Sequence, residues 1–461
     1  MHLMDWGNYP VVDTTLLRPR TIDAATEVVT RAEHLIARGL GRCYGDTALN
    51  ASLVVSAEKL DEMLDFDPST GLLVAQAGVS LAEILDAFAP RGWFLPVTPG
   101  TKFVTLGGAI ASDVHGKNHH LAETIGRHIA WCDVLTAEQG VLRCSPTEHP
   151  ELFHATCGGM GLTGVILRAA IRLVRVPSVW IRQQGYKARN LEEIMDAFDT
   201  YAQAPFTVAW IDCLKRGPAM GRSFLMAGDW ADPDSLPGKQ RGRPFAVPAV
   251  RERNVPIPFP SVVLNPLSVR AFNALYYAKA PRGTSESIVS YNAFFYPLDA
   301  VHNWNRIYGK RGFTQYQFAI PREAAKEGLP QILDRIAASG QGSFLAVLKL
   351  FGKQTTFPGN ISFPMEGYTL ALDFPITRAL FPVLDELDAM VLDYGGRLYL
   401  TKDARMSAAT VRRGYGKALD AFLEVKSRYD PHNKFRSLQS QRLGLGGAAF
   451  LLHNDHAVAA L

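Results

Sequence analysis

The sequence predicts an α+β fold, and three features carry that prediction. Its 461 residues are more than one hydrophobic core usually organises, so two domains, or one large domain with an inserted second, are expected. Over the first third, short strand-like runs alternate with amphipathic helical runs. After residue 290, strand-like and helical runs resume beyond an irregular, proline-rich stretch.

In chain order, "GLLVAQAGV" (71–79) reads as a strand and "SLAEILDAFAPRG" (80–92) as a helix. Ser80 caps that helix, Glu83 completes a capping box, and Leu81, Ile84, Leu85 and Phe88 form one apolar face. Gly92 is placed to end it in a left-handed turn. "GVILRAAIRLVRV" (164–176) is a strand closing this region, and "NLEEIMDAFDTYAQ" (190–203) is the first helix of a new unit. Further on, "FTQYQFAI" (313–320), "SFLAVLKLFG" (343–352) and "LALDFPI" (370–376) read as strands. "LFPVLDELDAMVLDYGG" (380–396) reads as a helix, and "GRLYLTKDAR" (396–405) as a last strand before a final helix. The expected division is 1–178, 179–396 and 397–461. Residues 236–266 stand apart, with seven prolines and five basic residues against one acidic. They are read as an exposed, mobile loop without regular structure; a flap over a site, or a membrane-facing patch, is the alternative.

Composition narrows the function classes. Apolar residues are 47% and charged residues 20%, ordinary for a globular protein with a large core. A net charge of +4 is small for this length, so nucleic acid is not an expected partner. Five scattered cysteines without a CxxC pair suggest neither a disulfide framework nor a zinc site, and fit a reducing compartment. No leader of basic then apolar residues and no run of about 20 apolar residues is visible, so a soluble or peripherally attached protein is expected. Its location would be the cytoplasm or the inner membrane surface, with the periplasmic face left open.

Three glycine-rich stretches carry the chemistry. In "ARGLGRCYGD" (37–46), Gly39, Gly41 and Gly45 permit a tight turn whose N–H groups converge on an anion, and Arg38 and Arg42 add positive charge. A pyrophosphate would fit; an ordinary glycine turn with exposed arginines remains open. In "PVTPGTKFVTLGGAIASDVHGKNHH" (96–120), Gly107, Gly108, Ala109, Ala111 and Ser112 let a flat cofactor approach the main chain, with His115 and Lys117 beside it. His115, His119 and His120 could instead hold a metal, but no matching carboxylate motif accompanies them, so no metal is expected. In "ELFHATCGGMGLTGVIL" (151–167), Gly159, Gly161 and Gly164 match GxGxxG literally. A helix precedes and a strand follows, the reverse of the nicotinamide fingerprint, so that assignment is rejected.

In order and spacing these stretches resemble the FAD flavoproteins of vanillyl-alcohol oxidase type, the p-cresol methylhydroxylase fold. "RGLGRCYGD", "WNRIYGKRGFTQYQF", "LKLFG", "LDFPI" and "GGRLYLTKDAR" are similar to its decaprenylphosphoryl-ribose 2-oxidase branch, over residues 15 to 440 or so. The resemblance implies a two-domain FAD-binding fold with a substrate domain built on an antiparallel sheet. It implies FAD held by Arg38, Gly39, Leu40, Gly41, Arg42, Cys43, Tyr44, Pro99, Gly100, Thr101, Thr105, Gly107, Gly108, Ser112, Val114, His115, Gly161, Ile166 and Tyr399. Flavin-tethered relatives carry a histidine where this chain has Arg42, so the FAD is expected to be non-covalent. Mycobacterial members carry a cysteine where this chain has Ala371.

The implied reaction oxidises the C2 hydroxyl of a polyprenylphosphoryl ribose to a ketone. This is the first half of an epimerisation that a nicotinamide-dependent reductase partner completes, in contact with a membrane surface. Lys402 matches the family's lysine near the flavin and is the candidate base or its positioner; His115 would orient the sugar or flavin, and Tyr44 sits beside the pyrophosphate turn. Lys117, Gln315, Gln317, Lys349, Thr369 and Lys402 would hold the substrate, Lys117 and Lys349 at its phosphate and the glutamines at its sugar hydroxyls. Gln315 and Gln317, two residues apart on a strand, face the same side. Oxidation of a free alditol or sugar lactone by the same fold is the alternative.

Overall fold

The computed structural model describes residues 1–260 and 263–446. Its first strand–helix unit follows local rules closely. Leu72–Gln76 is a strand and Leu81–Phe88 a helix. The Ser80 hydroxyl accepts from the Glu83 N–H, and the Glu83 carboxylate accepts from the Ser80 N–H, so two orphaned helix donors are satisfied together. Leu81, Ile84, Leu85 and Phe88 are all buried. Gly92 closes the unit at φ 78°, in the left-handed region.

Residues 15–172 build two sheets. Thr15–Leu17, Leu53–Ser56 and Ile36–Arg38 form a parallel sheet with Leu53–Ser56 in the middle. Val141–Cys144, Ile129–Leu135, Val165–Arg172, Leu72–Gln76 and Met63–Asp67 follow one another in an antiparallel sheet. The helix Pro150–Thr156 precedes the strand Val165–Arg172, the order that argues against a nicotinamide fingerprint.

Residues 180–398 build an eight-stranded antiparallel sheet. Across it run Thr284–Ser290, Trp180–Ala188, Ser223–Trp230, Phe206–Ile211, Ala346–Phe351, Gly367–Pro375, Phe313–Pro321 and the short Arg397–Leu398. The helices Leu191–Thr200, Arg322–Ser339 and Leu380–Asp393 pack against its strands. Alternation sends Tyr316, Phe318 and Ile320, all buried, to the side opposite Gln315 and Gln317. The glutamine side faces the cavity described below.

Two local expectations need correction. "GRLYLTKDAR" is not one strand: only Arg397–Leu398 pairs, and Leu400–Lys402 forms a 3-10 turn that swings Lys402 out of the sheet. "LGGAIA", assigned no element from its sequence, is the helix Leu106–Ala111, capped by the Thr105 hydroxyl on the Gly108 N–H. Residues 236–266 carry some order despite their prolines. Gly238–Arg241 is a short helix, and Arg253–Asn254 pairs in parallel with Val301–His302. Pro266 opens the helix Pro266–Lys279, at a position where its missing N–H leaves no bond unmade. Residues 261 and 262 of that stretch lie outside the described residues. Among the described residues no helix is long and apolar enough to cross a membrane.

Candidate active site

A cavity of about 680 Å3 lies between the glycine-rich stretches and the open side of the eight-stranded sheet. Register explains its floor. Gln317 stands opposite Ala371, which stands opposite Val347. Lys349 lies two residues from Val347, and Gln315 two residues from Gln317. Because directly paired residues share a face, Gln315, Gln317, Ala371, Val347 and Lys349 all line the same space. Trp210, paired with Val347, and Met226, paired with Val208, extend the floor as an apolar ramp.

The opposite wall is main chain. Gly39, Gly41, Gly107 and Gly108 line it. A Cβ on Gly39 would overlap the Thr105 hydroxyl, so the first glycine turn is seated on the cap of the Leu106–Ala111 helix. Gly41 has φ 62°, and a Cβ there would strike the Arg38 guanidinium. The Tyr44 N–H donates to Thr401 O at 3.1 Å, tying this turn to the 3-10 turn that carries Lys402.

Lys402 therefore sits above Tyr44, its ammonium 4.1 Å from the ring centroid. Burial lowers its pKa to about 8, against the opposing pull of Asp373 and Cys43. Burial raises the Asp373 carboxyl to about 7, while a hydrogen bond from Gln315 (2.6 Å) and the charge of Lys402 oppose the rise. Lys349 and Lys117 are each lowered to about 7, first by burial and then by the next lysine, Lys402 and Lys349 respectively. Lys117 also donates to the carbonyls of Phe294 and Phe295. Three lysines thus share one closed space with few carboxylates, an arrangement suited to a bound anion.

The hydrogen bonds around His115 fix its tautomer. The Thr369 hydroxyl donates to Phe318 O at 2.8 Å and accepts from Gln317 Nε2 at 3.2 Å. The same Gln317 nitrogen donates to His115 Nε2 at 3.2 Å, which must accept. The ring proton is therefore on Nδ1, a buried donor without a partner among the described residues. Burial, followed by Lys349, His119 and Lys402, holds the ring pKa well below the usual histidine value, so the ring is neutral.

These residues fit a flavin dinucleotide. The cavity offers a wall with little side-chain bulk, cations near its ends and an unpartnered Nδ1–H. All nineteen residues expected to hold FAD line it, as do Lys117, Gln315, Gln317, Lys349 and Lys402. Thr369 does not: its hydroxyl is spent behind Gln317, so it reaches the cavity only through that side chain. Arg38 lines the wall, but its guanidinium is paired with the buried Asp5 carboxylate and donates to Met4 O. The cation left facing the cavity from the first turn is Arg42, stacked over Trp6 at 4.0 Å. Of the three histidines only His115 lines the cavity; His119 packs on Phe351, and His120 donates to Ala204 O.

Sequence reasoning missed Asp373, the carboxylate beside Lys402, although "LDFPI" was singled out as a stretch. Its clue was parity: Asp373 lies two residues from Ala371 in an otherwise apolar strand. Asp5 and Trp6 had no such signal, because they arrive from the first strand pair of the chain. The apolar mouth of Phe272, Tyr276, Trp304 and Phe344 was likewise missed.

Comparison with known proteins follows the same lines. Residues 14–145 match the FAD binding domain family. The chain is 38% identical to decaprenylphosphoryl-beta-D-ribose oxidase of Mycolicibacterium smegmatis, over 96% of this chain and 97% of that protein. It is 33% identical to an uncharacterized Streptomyces coelicolor protein from the mprA 5' region, over 80% of this chain and the whole of that one. L-gulono-1,4-lactone dehydrogenase of Mycobacterium tuberculosis is 22% identical over 95% of this chain and 98% of its own length. The motifs, the glycine-walled cavity and these identities converge: the chain belongs to the decaprenylphosphoryl-β-D-ribose oxidase family and carries its FAD-binding domain.

Proposed function

We propose that this enzyme oxidises the C2 hydroxyl of a polyprenylphosphoryl-β-D-ribose to the 2-keto sugar, with FAD bound non-covalently in the cavity. The observation that carries this is the convergence of Lys402, Lys349, Lys117, His115, Gln315 and Gln317 on one cavity, opposite a glycine wall. Bound FAD supplies a two-electron acceptor. Lys402, with its pKa near 8, takes the hydroxyl proton when neutral, and Asp373 sets the pH at which that happens. Lys117 and Lys349 hold the phosphate, which restores their full charge; Gln315 and Gln317 hold the sugar hydroxyls. His115 Nδ1–H donates to an acceptor on the flavin or sugar. Tyr44 packs beneath Lys402 and would hold its amine beside the hydroxyl that loses the proton.

The fold organisation proposed with it is of vanillyl-alcohol oxidase type. Residues 1–178 would be the first part of the FAD domain, 179–396 the substrate domain, and 397–461, of which 447–461 lie outside the described residues, a return to the FAD domain. The parallel and five-stranded sheets, the eight-stranded sheet and the bridge between Leu35 and Phe435 support that division. A reductase partner would complete the epimerisation. The lipid-linked substrate places the enzyme at the inner membrane surface, in peripheral contact.

Anaerobic mixing of the holoenzyme with detergent-dispersed polyprenylphosphoryl ribose is expected to bleach the flavin absorbance. Lys402→Ala should retain FAD yet bleach at least about a hundredfold more slowly. Reduction at near wild-type rate would remove Lys402 from its role. Equal bleaching by a free alditol or sugar lactone would assign a soluble substrate instead.

A further inference from the structure

The helix Pro266–Lys279 buries only Val269 and Asn273 among its fourteen residues. At 100° per residue, Leu267, Ala271, Ala274, Leu275 and Ala278 form a stripe on the side opposite those two, and all five are exposed. Leu267 is 76% exposed and Leu275 71%, too much for side chains that merely edge a core. The feature extends beyond one helix: among the described residues, eight of the seventeen exposed large apolar ones lie between Val250 and Tyr276.

Charge says what covers it. Residues 239–282 hold eight Lys and Arg, all exposed, and a single acidic residue, Glu252, which pairs with His302. Two of the cations, Arg270 and Lys279, flank the apolar stripe on either side, where long side chains can lay their stems along apolar material and keep their charges in a headgroup layer. The helix itself contains no acidic residue. Its inner flank supplies Phe272 and Tyr276 to the cavity, where Phe272 meets Phe344 and Tyr276 meets Trp210.

We infer that the Pro266–Lys279 helix lies flat on an anionic phospholipid surface, Leu267 and Leu275 inserted, so that the cavity opens beside it toward the bilayer. This rests on the reading of the substrate as lipid-linked and names where that lipid enters. An interfacial helix needs one apolar stripe, flanking cations and no span-length apolar run, and this segment has all three. A polyprenyl chain can then pass from the acyl layer along Phe272 and Tyr276 without crossing water.

The test is flotation of the FAD-loaded full chain with vesicles of phosphatidylglycerol and phosphatidylcholine in equal parts, without substrate. The wild type should float with these and about tenfold less with phosphatidylcholine alone. Leu267→Ser with Leu275→Ser, and separately Arg270→Glu with Lys279→Glu, should each cut flotation about tenfold or more while keeping wild-type bleaching by detergent-dispersed substrate. The second pair leaves the apolar residues in place, so it still decides the matter if the first fails to fold. Wild-type protein that stays at the bottom of the gradient, or variants of either pair that fold and float like wild type, overturn the inference. So does a wild type that fails to float and sediments as a dimer which Leu267→Ser/Leu275→Ser dissociates; the covering surface is then a second copy. Bleaching without flotation would sink the docking helix alone, whereas flotation without bleaching would sink the proposed reaction alone.

Discussion

In the proposed reaction Lys402 and Asp373 would set the chemistry as a pair. Burial pulls the lysine down to about 8 and pushes the carboxyl up to about 7, so the two titrate within reach of neutral pH. A base must be unprotonated to act, so kcat should rise with pH up to about 8 and then level. Asp373 favours the charged lysine; removing its charge with Asp373→Asn should move that rising limb to lower pH. A limb that stays in place would show that the carboxylate does not face the lysine in the working enzyme. Gln317 bonds His115 and Thr369 and also lines the cavity. Gln317→Ala should raise KM about tenfold with a smaller fall in kcat, read from steady-state kinetics, since a lost positioning bond to substrate is worth about 1.4 kcal/mol. An unchanged KM would remove Gln317 from the sugar site. The lysine was legible because "YLTKDAR" matched a motif; its burial and its partner were not.

At the scale of elements, the sheet floor works through parity. Gln315, Gln317, Ala371, Val347 and Lys349 reach one space because paired strands share a face, and the sequence displayed that period for the two glutamines. It did not display which strands were neighbours, so Asp373 and the Trp210 ramp came only with the register. The long helical segment Ala408–Tyr429, kinked at Gly416, is tied down differently. Lys426, fully buried, donates to Asp430 at 2.7 Å and to the carbonyls of Leu162 (3.1 Å) and Phe435 (3.0 Å). This bridges the helix to the third glycine stretch. Lys426→Met strands the Asp430 charge in the interior and should cost about 3–5 kcal/mol, seen as a lower denaturation midpoint. A change under about 1 kcal/mol would mean that water reaches Asp430 once the lysine is gone. No local pattern announced this pair, since i,i+4 charges on a helix usually mark a solvated face.

The whole molecule closes a cavity from segments far apart in sequence: residues 37–48, 98–117, 160–166, the eight-stranded sheet and the turn at 399–402. No residue of the first turn offers the tethering histidine of flavin-linked relatives; Arg42 occupies that place and stacks on Trp6. Acid precipitation of the holoenzyme should therefore leave the flavin absorbance in the supernatant, and a yellow pellet would establish a covalent link. From the sequence alone came the α+β class, the Ser80–Glu83 box, the left-handed stop at Gly92, the glycine wall and most of the side chains around it. Those features depend on neighbours within a few residues or on motifs long enough to stand by themselves. Tertiary structure alone decided that Lys402 leaves its sheet, that Asp5 takes the charge of Arg38, that Thr369 stands behind Gln317, and that Asp373 faces the lysine. Each of those depends on groups some tens of residues apart, or on which strand lies beside which, and burial then sets their charges; neither quantity is written in local spacing.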